Sequence, residues 1–156
     1  GAAMRVLVDT SVWSLALRRE AQVRHPEAEE LKNLIAARAV EIIGPIRQEL
    51  LSGVRDQTQF VRLESSLAAF PDLSLVTADY VLAAKFFNAC RAKGIQGSNT
   101  DFLICAVAVR SDSAIFTTDL DFGQYKKCLP IKLYEFKSHA EQSPARYRRS
   151  VPKRNH

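Results

Sequence analysis

The sequence is poor in soft metal ligands and in anything that could cross a bilayer. Its three cysteines, Cys90, Cys105 and Cys128, are far apart and form no CxxC pair, and none of the three histidines, His25, His139 and His156, lies beside one. A disulfide framework and a thiolate zinc site are thereby disfavoured, and a reducing cytoplasm is the expected compartment. Cys105, inside the run Leu103-Ile104-Cys105-Ala106-Val107, reads as a small buried hydrophobe. Glycine and proline number only six each, so no low-complexity tract is present. The longest apolar run, residues 102–109, falls well short of the ~20 residues a spanning helix needs, and no membrane contact is expected. The apolar stretch after Arg5 is broken by Asp9, which argues against a secretory leader.

What is present suits one soluble domain: 156 residues, 47% hydrophobic and 25% charged. The net charge of +5 is unevenly placed. From Lys137 onward stand Lys137, Arg146, Arg148, Arg149, Lys153 and Arg154 against the single acid Glu141, so residues 4–136 form a charge-balanced body and residues 137–156 a basic tail. Such a tail suits contact with a polyanion, and equally a solvated end.

Short apolar runs at residues 4–8, 40–43, 73–76, 114–117 and 131–134 predict five strands. Between them, apolar residues recur at helical spacing over 10–16, 27–39, 44–53, 56–70, 77–93 and 99–111. Pro45 stands at a favoured first helical position and Gly94 at a helix stop. Short strands alternating with helices predict an α/β fold with a parallel sheet covered on both faces.

Four acids occupy positions where a purely structural account is strained. Asp9 follows Val6-Leu7-Val8 and Asp119 follows Ala114-Ile115-Phe116, both at carboxyl ends of predicted strands, the edge where open parallel sheets bind ligands. Asp101 lies in the first turn of the helix over 99–111, and Glu49 about one turn into the helix opened by Pro45. Taken singly, each has a bland explanation. Ser98-x-x-Asp101 and Thr118-x-x-Asp121 match capping boxes, Asp9 could cap the first helix, and Glu49 could be a surface acid. Taken together they would repel one another and raise one another's pKa values, a cost most easily met by a hard divalent cation. Ligation by oxygen alone points to Mg²⁺ or Mn²⁺, which polarise phosphoryl oxygens and activate water for phosphoester cleavage. Arg18, Arg19 and Arg24 could meet phosphate or simply line a solvated face.

The segments Val6-Leu7-Val8-Asp9-Thr10-Ser11-Val12-Trp13, Arg47-Gln48-Glu49-Leu50-Leu51-Ser52-Gly53, Asn99-Thr100-Asp101-Phe102-Leu103-Ile104 and Thr117-Thr118-Asp119-Leu120-Asp121-Phe122, in that order, resemble a PIN domain. More narrowly, they resemble the VapC ribonuclease toxins of type II toxin–antitoxin modules. The resemblance spans residues 4–136 and leaves the tail uncovered. It implies a three-layer α/β/α fold with a five-stranded parallel sheet and Mg²⁺- or Mn²⁺-dependent endoribonuclease activity. By position, Asp9, Glu49, Asp101 and Asp119 match the acidic quartet. Asp9, Asp101 and Asp119 would hold the metal with Asp121 as an accessory ligand, and Glu49 would bind metal or orient water. Thr10 and Thr117 match hydroxyl positions able to orient those carboxylates. The resemblance also implies a homodimer silenced by a VapB-type antitoxin.

Three rivals remain open at this point. A catalytically silent PIN-like module would bind RNA or protein without cutting. An aspartate-based phosphatase could use the pair in Asp119-Leu120-Asp121, although the early segment Asp9-Thr10-Ser11 lacks the second acid that a nucleophile motif there would carry. A receiver-like phosphoacceptor domain would carry an acidic pair early in the chain and a lysine late, and the early segment lacks the pair.

Overall fold

The computed structural model describes residues 4–17 and 24–138. The elements run β1 (Val6–Val8), α1 (Thr10–Leu17), α2 (Pro26–Ala36), β2 (Val40–Glu41), α3 (Gly44–Leu51), α4 (Gln57–Leu67), α5 (Thr77–Ala92), α6 (Asn99–Arg110), β3 (Ala114–Phe116) and α7 (Asp121–Lys126). Arg18, Arg19 and all of the basic tail beyond Ser138 lie outside the described residues. No helix among the described residues is long and apolar enough to cross a membrane.

The sheet explains where everything else must go. β1 is apolar throughout and fully buried, as a strand covered on both faces should be. It pairs in parallel with β2 on one side and β3 on the other, with Val6 opposite both Val40 and Ala114. The order is β2-β1-β3. The sequence predicts five strands; among the described residues the structure forms three, in one sheet. The two missing strands survive as single parallel bridges on the outer edges, Ile42 with Asp72 and Ile115 with Leu133. Pro71 and Pro130 stand next to these two segments. A proline has no N–H to give a ladder, which helps keep the edge pairings short.

The first crossovers step outward from β1 through β2 toward Asp72, and the chain then returns to place β3 on the other side of β1. Right-handed crossovers in opposite directions put their helices on opposite faces. Accordingly α1 packs on α2, which reaches β2, while α5 packs extensively on α6, which reaches β3. The result is an α/β/α arrangement. Its direction of winding reverses between β1 and β3, and the carboxyl ends of those strands form the crevice where such folds bind ligands.

Helix α6 is the most deeply sunk element, with every residue from Phe102 to Ala108 buried. Its first turn carries Asp101 and is anchored by Ser98, whose Oγ accepts from Asp101 N at 3.1 Å. Its last turn carries Arg110, which pairs with the fully buried Asp79 of α5. Burial alone would raise the Asp79 carboxyl, but the Arg110 guanidinium and the Val76 N–H hold it below the usual carboxylate range. On the other flank, Arg47 of α3 donates Nε to Asp72 at 3.0 Å and Nη1 to the Leu67 carbonyl at 2.9 Å, and Nη2 reaches the Phe70 carbonyl. One side chain therefore ties α3 to the end of α4.

Three helices, α2, α5 and α6, end at a left-handed residue. Periodicity extends the second helix to residue 39, yet α2 closes at Ala36 because Arg38 adopts φ 57° and Ala39 N returns to Leu34 O. Asp112 (φ 53°) ends α6 in the same way, as does Gly94 (φ 75°) for α5. A side chain in that region strains against its own carbonyl by about 1–2 kcal/mol, which glycine avoids. We expect Arg38→Gly to stabilise the protein by roughly 0.5–1 kcal/mol after the extra freedom of the unfolded chain is offset, and Gly94→Ala to cost about 1 kcal/mol. Urea unfolding of the two variants would show midpoints moving in opposite directions.

Candidate active site

The carboxyl end of β1 opens directly into the site. Asp9 N donates to Phe116 O at 2.8 Å, extending the β1–β3 pairing by one residue, while Asp9 O accepts the first amides of α1. Asp9 thus stands at the N-cap position of α1, as the bland explanation requires, but its carboxylate is used otherwise. It is buried, at 7% exposure, and its Oδ2 accepts from Ser11 Oγ (2.9 Å) and Thr117 Oγ1 (2.8 Å). Thr117 Oγ1 also accepts from Asp119 N at 3.0 Å, and Asp119 Oδ1 accepts from Asp121 N at 2.9 Å. Ser11 Oγ lies 3.2 Å from Thr117 Oγ1 and accepts from Thr118 N at 3.0 Å. Two hydroxyls therefore lock the end of β1 to the loop after β3.

The remaining acids enter from helices. Glu49 of α3 accepts from Thr10 Oγ1 through Oε2 at 3.2 Å. Asp101 of α6 accepts from the Tyr125 hydroxyl through Oδ2 at 2.7 Å. Asp101 is half-buried; burial raises its carboxyl, the Tyr125 and Ser98 hydroxyls pull it down, and the negative charges of Asp9 and Asp119 push it up, leaving it above the usual carboxylate value. The same field reaches Cys105, whose thiol is raised first by burial and then by Asp101. The four quartet acids therefore gather at one sheet edge. Asp121 joins through its backbone amide and lies exposed in the first turn of α7. The capping box at Ser98 is half formed, since the Asp101 side chain turns to Tyr125. The one at Thr118 is absent, because α7 starts at Asp121 with Leu120 at its N-cap and no side-chain cap.

Each quartet carboxylate lends one oxygen to a protein donor and leaves the other without one among the described residues: Asp9 Oδ1, Glu49 Oε1, Asp101 Oδ1 and Asp119 Oδ2. This donor set, all oxygen and already oriented, fits a hard divalent cation. As they stand, no group of three or more His, Cys, Asp or Glu side chains among the described residues is placed to hold an ion. A cation here would complete its shell with water and substrate oxygens, as Mg²⁺ commonly does.

Sequence reasoning identified Thr10 and Thr117 as orienting hydroxyls, and both touch quartet residues directly or through Ser11. It missed Ser11, which lies within the same Asp9-Thr10-Ser11 motif and could have been suspected from its hydroxyl. It also missed Tyr125, which lies in no motif. Arg24 is exposed and contacts no acid of the quartet.

A family model described as "PIN domain" matches residues 6–127. Over 134 residues the chain is 31% identical to VapC ribonuclease Mb1587 of Mycobacterium bovis, covering 85% of this chain and 99% of that protein. The same identity and coverage relate it to ribonuclease VapC11 of Mycobacterium tuberculosis. Among solved structures, FitAcB from Neisseria gonorrhoeae superposes with TM-score 0.68 at 21% identity, covering 83% of this chain and 96% of that one. VapBC2 from Rickettsia felis, bound to a promoter DNA fragment, gives TM-score 0.67 at 16% identity, covering 86% and 100%. These structural likenesses bear on the fold.

The raised Asp101 carboxyl has a consequence for stability. A folded-state pKa above the unfolded one means that the folded protein holds the proton more tightly, so stability falls as pH rises through that range and recovers below it. In the absence of divalent cation, thermal stability should increase on acidification through the window just above 3.8, the ordinary value for this carboxyl. Asp101→Asn should raise the neutral-pH melting temperature and flatten that dependence. Differential scanning fluorimetry across pH 4–7 in EDTA checks both.

Proposed function

The chain belongs to the PIN domain family, on its VapC ribonuclease branch, and from that premise we propose that it is a Mg²⁺- or Mn²⁺-dependent endoribonuclease, the toxin of a VapBC-type module. The observation that carries this reading is the oxygen pattern of the quartet, with four carboxylates at one sheet edge, each oriented through one oxygen and free at the other.

Asp9, Asp101 and Asp119 would hold the cation, with Asp121 as an accessory ligand. A bound Mg²⁺ or Mn²⁺ would offset the acids' charge and stabilise negative charge developing on the phosphodiester oxygens. The protein's own groups prepare that chemistry. Ser11 and Thr117 keep the Asp9 carboxylate from rotating toward solvent. Glu49, exposed and tethered only by Thr10, is suited to accept a hydrogen bond from the attacking water and align it with the phosphate. The described residues place only one histidine, His25, at the start of α2 and outside the quartet's hydrogen-bond network, so the acids and their water are the natural proton acceptors.

RNA as substrate and a VapB-type antitoxin as partner follow from the VapC likeness, as does a cytoplasmic setting. A homodimer is supported by the apolar side chains Val76, Tyr80 and Val81 along α5, each about half exposed. A cavity of about 460 Å³ opens beside them between α5 and α6.

Asp9→Asn keeps volume and removes charge. It should abolish Mn²⁺-dependent cleavage of structured RNA, a loss larger than the ~10–100-fold typical for removing an orienting partner, while circular dichroism stays unchanged. Cleavage retained by the purified variant would exclude Asp9 as an essential ligand. A wild-type protein that binds RNA without cutting it in Mg²⁺ or Mn²⁺ would identify a silent binding module instead.

A further inference from the structure

We infer that Tyr125, seated against Gly97, is a positioning residue that fixes the Asp101 carboxylate so that Oδ1 alone is left for a divalent cation. The inference rests on the metal-dependent reading above and adds a residue to it.

Tyr125 is fully buried and donates its hydroxyl to Asp101 Oδ2 at 2.7 Å. Its ring is clamped by Phe102 at 4.9 Å and Phe122 at 5.2 Å between centroids. Phe102 is the residue after Asp101, so the clamp and the acceptor belong to one turn of α6. Tyr125 itself sits one turn after Asp121 on α7. The phenol thereby couples the β3–α7 side of the site, with Asp119 and Asp121, to the Asp101 side.

Gly97 shows how closely that coupling is built. A Cβ there would lie 2.3 Å from the Tyr125 hydroxyl oxygen, 2.7 Å from Cζ and 2.9 Å from Cε1. Unlike Gly53 and Gly94, it does not have a left-handed backbone. Glycine is required at 97 by space, not by conformation, and the space is that of the tyrosine ring and its hydroxyl. Backbone and side chain of Asp101 are then held independently, the amide by Ser98 Oγ and the carboxylate by Tyr125. Unrestrained, the Asp101 carboxylate could rotate away from the like charges of Asp9 and Asp119; the buried phenol opposes that rotation.

A buried tyrosine hydroxyl needs an acceptor wherever it lies, so a purely structural role would lower stability on its loss without touching cation binding. Isothermal titration with Mn²⁺ separates the two. Tyr125→Phe should weaken Mn²⁺ binding by ~10–100-fold with unchanged circular dichroism, and RNA cleavage should recover at raised Mn²⁺. Gly97→Ala, which leaves the phenol intact but displaces it, should show the same Mn²⁺ defect and serves if Tyr125→Phe folds poorly. In an Asp101→Asn background, Tyr125→Phe should have no further effect on Mn²⁺ affinity. Wild-type protein that binds Mn²⁺ while both variants bind it equally well would overturn the positioning role and leave the metal-dependent reading standing. Wild-type protein that fails to bind Mn²⁺ would overturn both.

Discussion

The hydrogen bond from Asp9 N to Phe116 O is the joint on which the site hangs. It carries the pairing of β1 and β3 one residue past the last strand position, so that the first acid after β1 and the loop after β3 leave the sheet side by side. The ends of the apolar runs fix their register, since a slip of one residue would draw the exposed Arg5 or the polar Thr117 into the all-apolar pairing. Placement of the acids is therefore a by-product of core packing. The hydroxyls of Ser11 and Thr117 then need only settle orientation, which short side chains in a ready-made crevice can do.

Like charges gathered at one edge must be accommodated, and the molecule treats its acids in two ways. Asp79, deep between α5 and α6, has a guanidinium partner and a backbone donor, and its carboxylate is favoured. Asp101, nearer the surface, receives only hydroxyl donors and faces two other acids, and its carboxylate is disfavoured. The first arrangement strengthens the fold. The second leaves like charges facing one another, which the proposed cation would neutralise. Arg110 and Asp101 belong to one helix whose middle is sealed in the core, so the repulsion at Asp101 is borne by the burial of residues 102–108.

Much of this could be seen in the amino-acid pattern. The all-apolar runs before Asp9 and Asp119, and the proline and glycine punctuation at Pro45 and Gly94, mark strand ends and helix limits directly. The outer two strands were over-read because an apolar run such as 73–76 or 131–134 shows burial but not pairing; the backbone there makes one bridge and departs. The helix end at Arg38 was invisible because an arginine does not advertise a left-handed backbone. Three of the quartet stood out by place, since Asp9 and Asp119 follow strands and Asp101 opens a helix, whereas Glu49 lies late in α3 and has no such marker. Tyr125 and Gly97 did not stand out, because their meaning lies in a contact between two loops and helices far apart in the chain, which no local spacing encodes.

The triple grip of Arg47 sets Glu49 apart from its three companions. Asp9, Asp101 and Asp119 are rooted in the sheet and the core helix, whereas Glu49 rides on α3, which Arg47 yokes to the tip of α4. Among the described residues its carboxylate is tied to that side of the site by the Thr10 hydroxyl alone. Ile46 and Leu50 seat α3 in the same core as the sheet, so the backbone of Glu49 is as firmly placed as that of its companions while its carboxylate rests on one hydroxyl at the cleft's exposed rim.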